Sequence, residues 1–81
     1  MTANNIISED LKILVFRSDI DTPQNATFVQ IELQQMAGVF KVDVDIEDSE
    51  NVLRVECHPD SSSKRIKGKL VQIGFTCSEF I

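Results

Sequence analysis

The chain has 81 residues, of which 42% are apolar and 26% charged, a composition typical of one folded globular domain. Its net charge of −5 argues against nucleic acid as a partner, because phosphates attract basic surfaces. The sequence has no apolar stretch long enough to span a membrane and no basic and apolar regions of a secretory signal near residue 1, so we expect a cytoplasmic protein without membrane insertion.

The N-terminal part of the chain predicts an arm followed by a strand. Residues 1–10 are polar and without periodicity apart from two isoleucines, so we interpret them as a flexible arm before a single domain over residues 11–81. "LKILVFR" is a strand pattern whose residues 13–16 are all apolar. Such a run predicts a central strand that is covered on both faces, or one whose open face meets a partner.

The segment "TPQNATFVQIELQQMAGV" predicts the first helix. Thr22 is a favourable N-cap, Pro23 suits the first helical position, and Gly38 suits the residue that ends a helix. Apolar residues at three- and four-residue spacing predict one buried stripe: Ala26, Val29, Leu33 and Met36. Two further apolar residues, Phe28 and Ile31, either widen this stripe or lie beside it.

A hairpin, a second helix and a short strand follow. "FKVDVDIE" alternates strictly, "DSEN" is a turn and "VLRVEC" returns, which is typical of a hairpin with one solvated face. "HPDSSSKRIKGKLVQIG" predicts a helix with capping serines and a core of Ile66, Leu70 and Ile73, and "FTCSEFI" predicts the last strand.

The order β-α-β-β-α-β predicts a ferredoxin-like α+β fold, with two helices on one face of a four-stranded antiparallel sheet in the order 4-1-3-2. In that order Cys57 and Cys77 lie about two strand spacings, roughly 10 Å, apart, which is too far for a disulfide. We therefore interpret both as free thiols with a packing role.

With these elements placed, the chain resembles the heavy-metal-associated domain of copper chaperones and metal-transporting ATPases over residues 12–80. The resemblance rests on the apolar positions of the first helix with its closing "GV", on "KVDVDIED", and on the second helix with its closing "GF". It implies the βαββαβ fold.

The heavy-metal-associated family binds metal through the motif G-M-x-C-x-x-C, which lies between the first strand and the first helix. In this sequence the motif falls on "DIDTPQN", where Ile20 replaces the methionine and Thr22 and Asn25 replace the two cysteines. Cu(I) requires soft thiolate ligands, so no metal-binding residue of the family is carried over, and we expect no metal or other cofactor. The alternative within this family is a residual heavy-metal-binding or transport protein that uses other ligands.

The same loop has two further interpretations. Asp19, Asp21, Thr22 and Asn25 offer oxygen ligands for a hard cation such as Ca²⁺ or Mg²⁺, although such sites normally need more ligands. Alternatively, Thr22 caps the helix and the two aspartates favour its positive end.

Two other motifs offer candidate sites. "DTPQ" partly matches the D-x-P-G of ACT-type regulatory domains, which implies small-molecule binding as an alternative, but the glycine is missing. "CHPD" places Cys57 beside His58, and we expect a turn at the end of the sheet remote from the loop. The sequence contains no nucleophile, base and orienting group in a catalytic arrangement, so we do not expect an enzyme.

We therefore predict a protein-interaction or sensing module, with a protein partner or self-association into a dimer. The predicted interaction residues are Val15 and Phe16 on the open face of the sheet and Lys64, Arg65 and Lys67 in "KRIKGK". The basic segment, together with the acidic "DVDIEDSE", would give a dipolar surface that orients a charged partner.

Overall fold

A computed structural model describes residues 11–80, and the predicted arm at residues 1–10 lies outside them. The elements are β1 (Lys12–Ser18), α1 (Pro23–Gln34), β2 (Val39–Asp45), β3 (Val52–Cys57), α2 (Ser63–Gln72) and β4 (Cys77–Glu79). Within residues 11–80, no helix combines the length and the hydrophobicity needed to cross a lipid bilayer.

The four strands form one antiparallel sheet in the order β2-β3-β1-β4, which is the predicted 4-1-3-2 order read from the other edge. Alternate residues of β3 are buried against the helices, while the residues between them, such as Arg54, face away. Both helices contribute buried residues to the same core cluster. The helices therefore cover one face of the sheet and leave the other face open.

Helix α1 begins as its sequence predicts, but it ends at Gln34, before the predicted end at Gly38, and residues 35–38 form a turn into β2. Thr22 is the N-cap, Pro23 is the first helical residue, and Gly38 has a φ of 86°, a left-handed conformation that glycine adopts without strain. The buried residues are Ala26, Val29 and Leu33, with Met36 partly buried. Phe28 and Ile31 do not widen this stripe: they lie on the outer side of the helix and are 44% and 52% exposed.

Strand β2 alternates as predicted but contains an irregularity near its start. Val39, Val42 and Val44 face the core, and the register shifts between Val39 and Lys41. This β-bulge inserts Phe40, which is 52% exposed. The strand ends at Asp45, two residues earlier than the pattern predicted, because an Asp45 carboxylate oxygen accepts the backbone N–H of Glu47 and turns the chain.

Helix α2 is amphipathic and is capped by Ser62, whose hydroxyl accepts the backbone N–H of Arg65 at 3.2 Å. Ile66 and Leu70 are fully buried. The helix ends at Gln72, and Gly74, with a φ of 102°, reverses the chain towards β4.

Candidate functional site

The loop between β1 and α1 is held in place by its own polar groups. The Ser18 hydroxyl donates to the carbonyl of Asn51 at 2.7 Å and accepts the backbone N–H of Ile20 at 3.2 Å. The Ile20 side chain is fully buried and anchors the loop to the core.

Two of the predicted oxygen ligands are engaged by backbone groups. The Thr22 hydroxyl accepts the N–H of Asn25 at 3.1 Å, the geometry of an N-cap. One carboxylate oxygen of Asp19 accepts the N–H of Thr76 at 3.0 Å, which ties the loop to the segment before β4. Among residues 11–80, no group of three or more His, Cys, Asp or Glu side chains is placed to hold a metal ion.

Cys57 on β3 and Cys77 on β4 lie beside opposite ends of β1, and both are free thiols. Cys57 is opposite Lys12 and Cys77 is opposite Ser18, which are six positions apart on β1, or about 20 Å along the strand. The predicted separation of roughly 10 Å was wrong because it counted strands and ignored the register. The conclusion that the cysteines cannot pair is confirmed.

The two thiols differ in accessibility. Cys57 is fully buried, and its Sγ lies 3.6 Å from the carbonyl oxygen of Lys12. Cys77 is half-buried beside the loop, and this burial raises the pKa of its thiol. Asp19 and Glu79 raise that pKa further, while Lys67 opposes them. This is not the electropositive environment of a reactive cysteine.

The "CHPD" segment forms a turn at the far end of the sheet. The N–H of His58 donates to the carbonyl of Gly38 at 2.7 Å, and its Nδ1 accepts the N–H of Asp60 at 3.1 Å. Since Cys57 pairs with the first residue of β1 and the loop follows the last, the two groups of ligands are remote from each other, as predicted.

The open face of the sheet carries apolar residues on β1 and beyond β4. Ile13 is 47% exposed and Val15 is partly exposed, opposite Glu56 and Arg54 respectively. Phe80 donates its backbone N–H to the carbonyl of Val15, so its position on the sheet is beside Val15.

Phe16 is not part of this face. Its side chain is fully buried in the core under the helices, because neighbouring residues of a strand point to opposite faces. The prediction that Phe16 contributes to an interaction surface is therefore wrong. Ile13 takes its place, because alternation along β1 puts Ile13 on the same face as Val15.

A groove of about 380 Å³ lies along β1 beyond the end of β4, and its lining includes Ile13, Val15 and Phe80. Phe80 also contacts Arg17, whose guanidinium carbon lies 5.0 Å from the centre of the ring, a cation–π distance. Phe80 therefore connects the apolar groove to Arg17, whose Nε also lies 3.5 Å from a carboxylate oxygen of Glu50.

The predicted basic residues lie elsewhere. Lys64, Arg65 and Lys67 are on α2, on the side of the sheet covered by the helices. Arg65 donates to the carbonyl of Ala37 at 3.3 Å, and the Lys67 ammonium lies 3.8 Å from the Glu79 carboxylate. The structure therefore does not bring these residues together with Val15 into one surface.

Comparison with solved structures gives several close matches in fold. Oxidised MerP from Ralstonia metallidurans CH34 superposes with a TM-score of 0.76 at 16% identity, covering 88% of this chain and 99% of MerP. A copper-binding domain of the P-type ATPase HMA7 gives 0.76 at 20% identity, covering 85% and 93%. The N-terminal domain of a potential copper-translocating P-type ATPase from Bacillus subtilis, in its Cu(I)-loaded state, gives 0.75 at 17% identity, covering 85% and 86%.

At the level of sequence the result is different. No protein-family model and no curated protein matches the chain. The structural matches lie below 25% identity and therefore establish the fold and not the activity. The chain has the fold of the heavy-metal-associated domains, as its core and turn positions predicted.

Proposed function

We propose that this chain is a non-catalytic protein-interaction domain with the heavy-metal-associated fold, without the thiolate metal site of that family. The observation that supports the proposal is that polar groups of the loop between β1 and α1 bind backbone groups of the chain itself. Thr22 and Asn25, where the sequence resemblance places the two cysteines of that family, form a helix cap, and Asp19 accepts a backbone N–H of the neighbouring segment. The loop is a structural connection rather than an open set of ligands.

A Cu(I) titration under reducing conditions, in competition with a chromophoric Cu(I) chelator, tests the missing metal site. We expect the wild-type chain to leave the chelator saturated, because hydroxyl and amide groups are poor ligands for Cu(I). The variant Thr22→Cys/Asn25→Cys is expected to remove about one equivalent of Cu(I) from the chelator, since it restores two thiolates on the same backbone. The matched control is Thr22→Cys alone.

Stoichiometric Cu(I) binding by the wild-type chain would overturn this part of the proposal. If that binding were lost on Cys77→Ala and kept in Thr22→Ala/Asn25→Ala, the half-buried thiol beside the loop would be the site. Binding lost only in Cys57→Ala would place the site at the opposite end of the sheet.

The open face of the sheet supports the interaction part of the proposal. Ile13, Val15 and Phe80 offer an apolar area next to charged neighbours on β3, an apolar centre with a charged border that is common in protein interfaces. Lys12 and Glu79, which also line the groove, are each hydrogen-bonded within the chain. We propose a protein as the occupant of this face.

A pull-down with matched variants tests this surface. A partner of the open face is expected to be retained by the wild-type chain and by Val71→Asp, which changes an exposed residue of α2. It is expected to be lost with Val15→Asp. A partner lost equally with both variants, or kept with both, would refute the surface.

Thermal-shift measurements separate the interaction proposal from ligand binding, because a ligand specific for the native state raises the melting temperature. We expect no shift with amino acids or with Ca²⁺ and Mg²⁺. A shift with an amino acid would favour the ACT-like alternative. A shift with a divalent cation that disappears in Asp21→Asn would favour the oxygen-ligand loop.

A further inference from the structure

Helix α1 is apolar on two opposite sides, unlike α2. Its inner side carries the buried stripe that includes Leu33. At 100° per residue, Phe28 and Ile31 lie on the side opposite Leu33 and are 44% and 52% exposed. A helix that is apolar on both sides is normally covered on both.

The outer side of α1 is also free of charge. Gln24 and Gln35 continue the line of Phe28 and Ile31 towards the two ends of the helix, and both are exposed. We call these four residues the α1 face. The one charged residue within Pro23–Gln34 is Glu32, which lies 3.4 Å from the ammonium of Lys69 on α2. In a chain with a net charge of −5, this face carries no negative charge that would repel a second copy.

Next to the α1 face, the ring of Phe75 extends the apolar surface. Its centre lies 6.5 Å from that of Phe28, and the two rings are tilted by 49°. This geometry is favourable for aromatic pairs and holds Phe28 in position. An apolar side chain that is already ordered loses less entropy on association than a mobile one.

The order of residues on the α1 face is the same in both directions: glutamine, apolar, apolar, glutamine, at spacings of four, three and four. If two copies of α1 pack antiparallel about a twofold axis between Phe28 and Ile31, Phe28 of one copy meets Ile31 of the other. The same axis places Gln24 against Gln35 of the second copy. A glutamine amide both donates and accepts, so these two residues can pair.

We propose that the α1 face is a self-association surface and that its occupant is a second copy of this chain, packed antiparallel through α1. A twofold interface requires a self-complementary surface, and the α1 face meets this condition in spacing, apolarity and charge. The helix is only about 18 Å long, so it can form only a small interface, and we expect a weak dimer.

The α1 face is separate from the open face of the sheet, so this proposal and the proposed function can fail independently. Sedimentation equilibrium of the full chain over a range from about 10 μM to 1 mM measures the association. We expect the wild type to dimerise and Ile31→Asp to remain monomeric over this range. The matched control Val71→Asp, on an exposed site of α2, is expected to dimerise like the wild type.

A pair of double variants tests the antiparallel arrangement with equal numbers of substitutions. In Gln24→Lys/Gln35→Glu, each introduced lysine faces an introduced glutamate of the second copy. In Gln24→Lys/Gln35→Lys, two lysines face each other. We expect the dissociation constant of the first variant to be at least tenfold lower than that of the second. Both positions are exposed, so folding, checked by circular dichroism, is expected to be unchanged.

Three outcomes overturn the proposal. The first is a monomer at all concentrations, and the second is a dimer that Ile31→Asp leaves intact. The third is equal association of the two double variants. A dimer broken by Val15→Asp and not by Ile31→Asp would place the interface on the open face of the sheet instead.

Discussion

Replacing Thr22 by alanine tests whether the loop serves the fold. The substitution removes the hydroxyl that accepts the N–H of Asn25 at 3.1 Å and leaves that N–H without its partner at the start of α1. Loss of such a cap costs about 1 kcal/mol of unfolding free energy. For a chain of 81 residues, with an unfolding entropy of about 2.1 cal/mol/K per residue, this corresponds to a decrease of about 6 °C in melting temperature.

Urea denaturation followed by circular dichroism measures this change, with two matched controls. Thr22→Ser keeps the hydroxyl and is expected to retain most of the stability. Thr27→Ala changes an exposed threonine within the same helix and is expected to leave the free energy of unfolding unchanged or slightly higher, because alanine has the greater helix propensity. A Thr22→Ala chain as stable as the wild type, or a Thr22→Ser chain as unstable as Thr22→Ala, would refute the capping role.

The remaining predictions concern two glycines and the thiols. Gly68→Ala is expected to raise the free energy of unfolding by about 0.5–1 kcal/mol, because an added Cβ meets no atom within 4 Å and alanine favours the helix. Gly38→Ala is expected to lower it in the same urea assay, because its φ is 86° and a Cβ would lie 3.1 Å from the Ser61 hydroxyl. Burial raises the pKa of the Cys77 thiol, so its alkylation by iodoacetamide near pH 8 should be slower than that of a free cysteine. Cys57 is fully buried and should react only on unfolding. Equal alkylation rates for Cys77 and a free cysteine would contradict this prediction. Since the protonated thiol is favoured in the fold, its contribution to stability is present below the usual thiol pKa and is lost as the pH rises through the raised one, which a urea series up to about pH 10 would detect.

The start of α1 and the end of α2 were predictable because they depend on local chemistry, whereas α1 ends at Gln34, before the predicted end at Gly38. Thr22 and Pro23 start α1 through contacts with residues at most four positions away, and Gly74 ends the second helical segment through its own backbone conformation. The capping role of Thr22 in the loop was predictable for the same reason, since a threonine before Pro23 is visible in the sequence alone.

The sequence by itself determined the order of elements, the antiparallel sheet and the identity of most core residues, because hydrophobic periodicity and turn chemistry act over short distances. Only the tertiary structure decided the pairing register of the strands and which side chains face the core. It buried Phe16 and left Ile13 and Phe28 exposed, and it placed Cys57 and Cys77 at opposite ends of β1. A run of apolar residues does not reveal which of its members faces the helices, since that depends on the pairing of strands far apart in the chain.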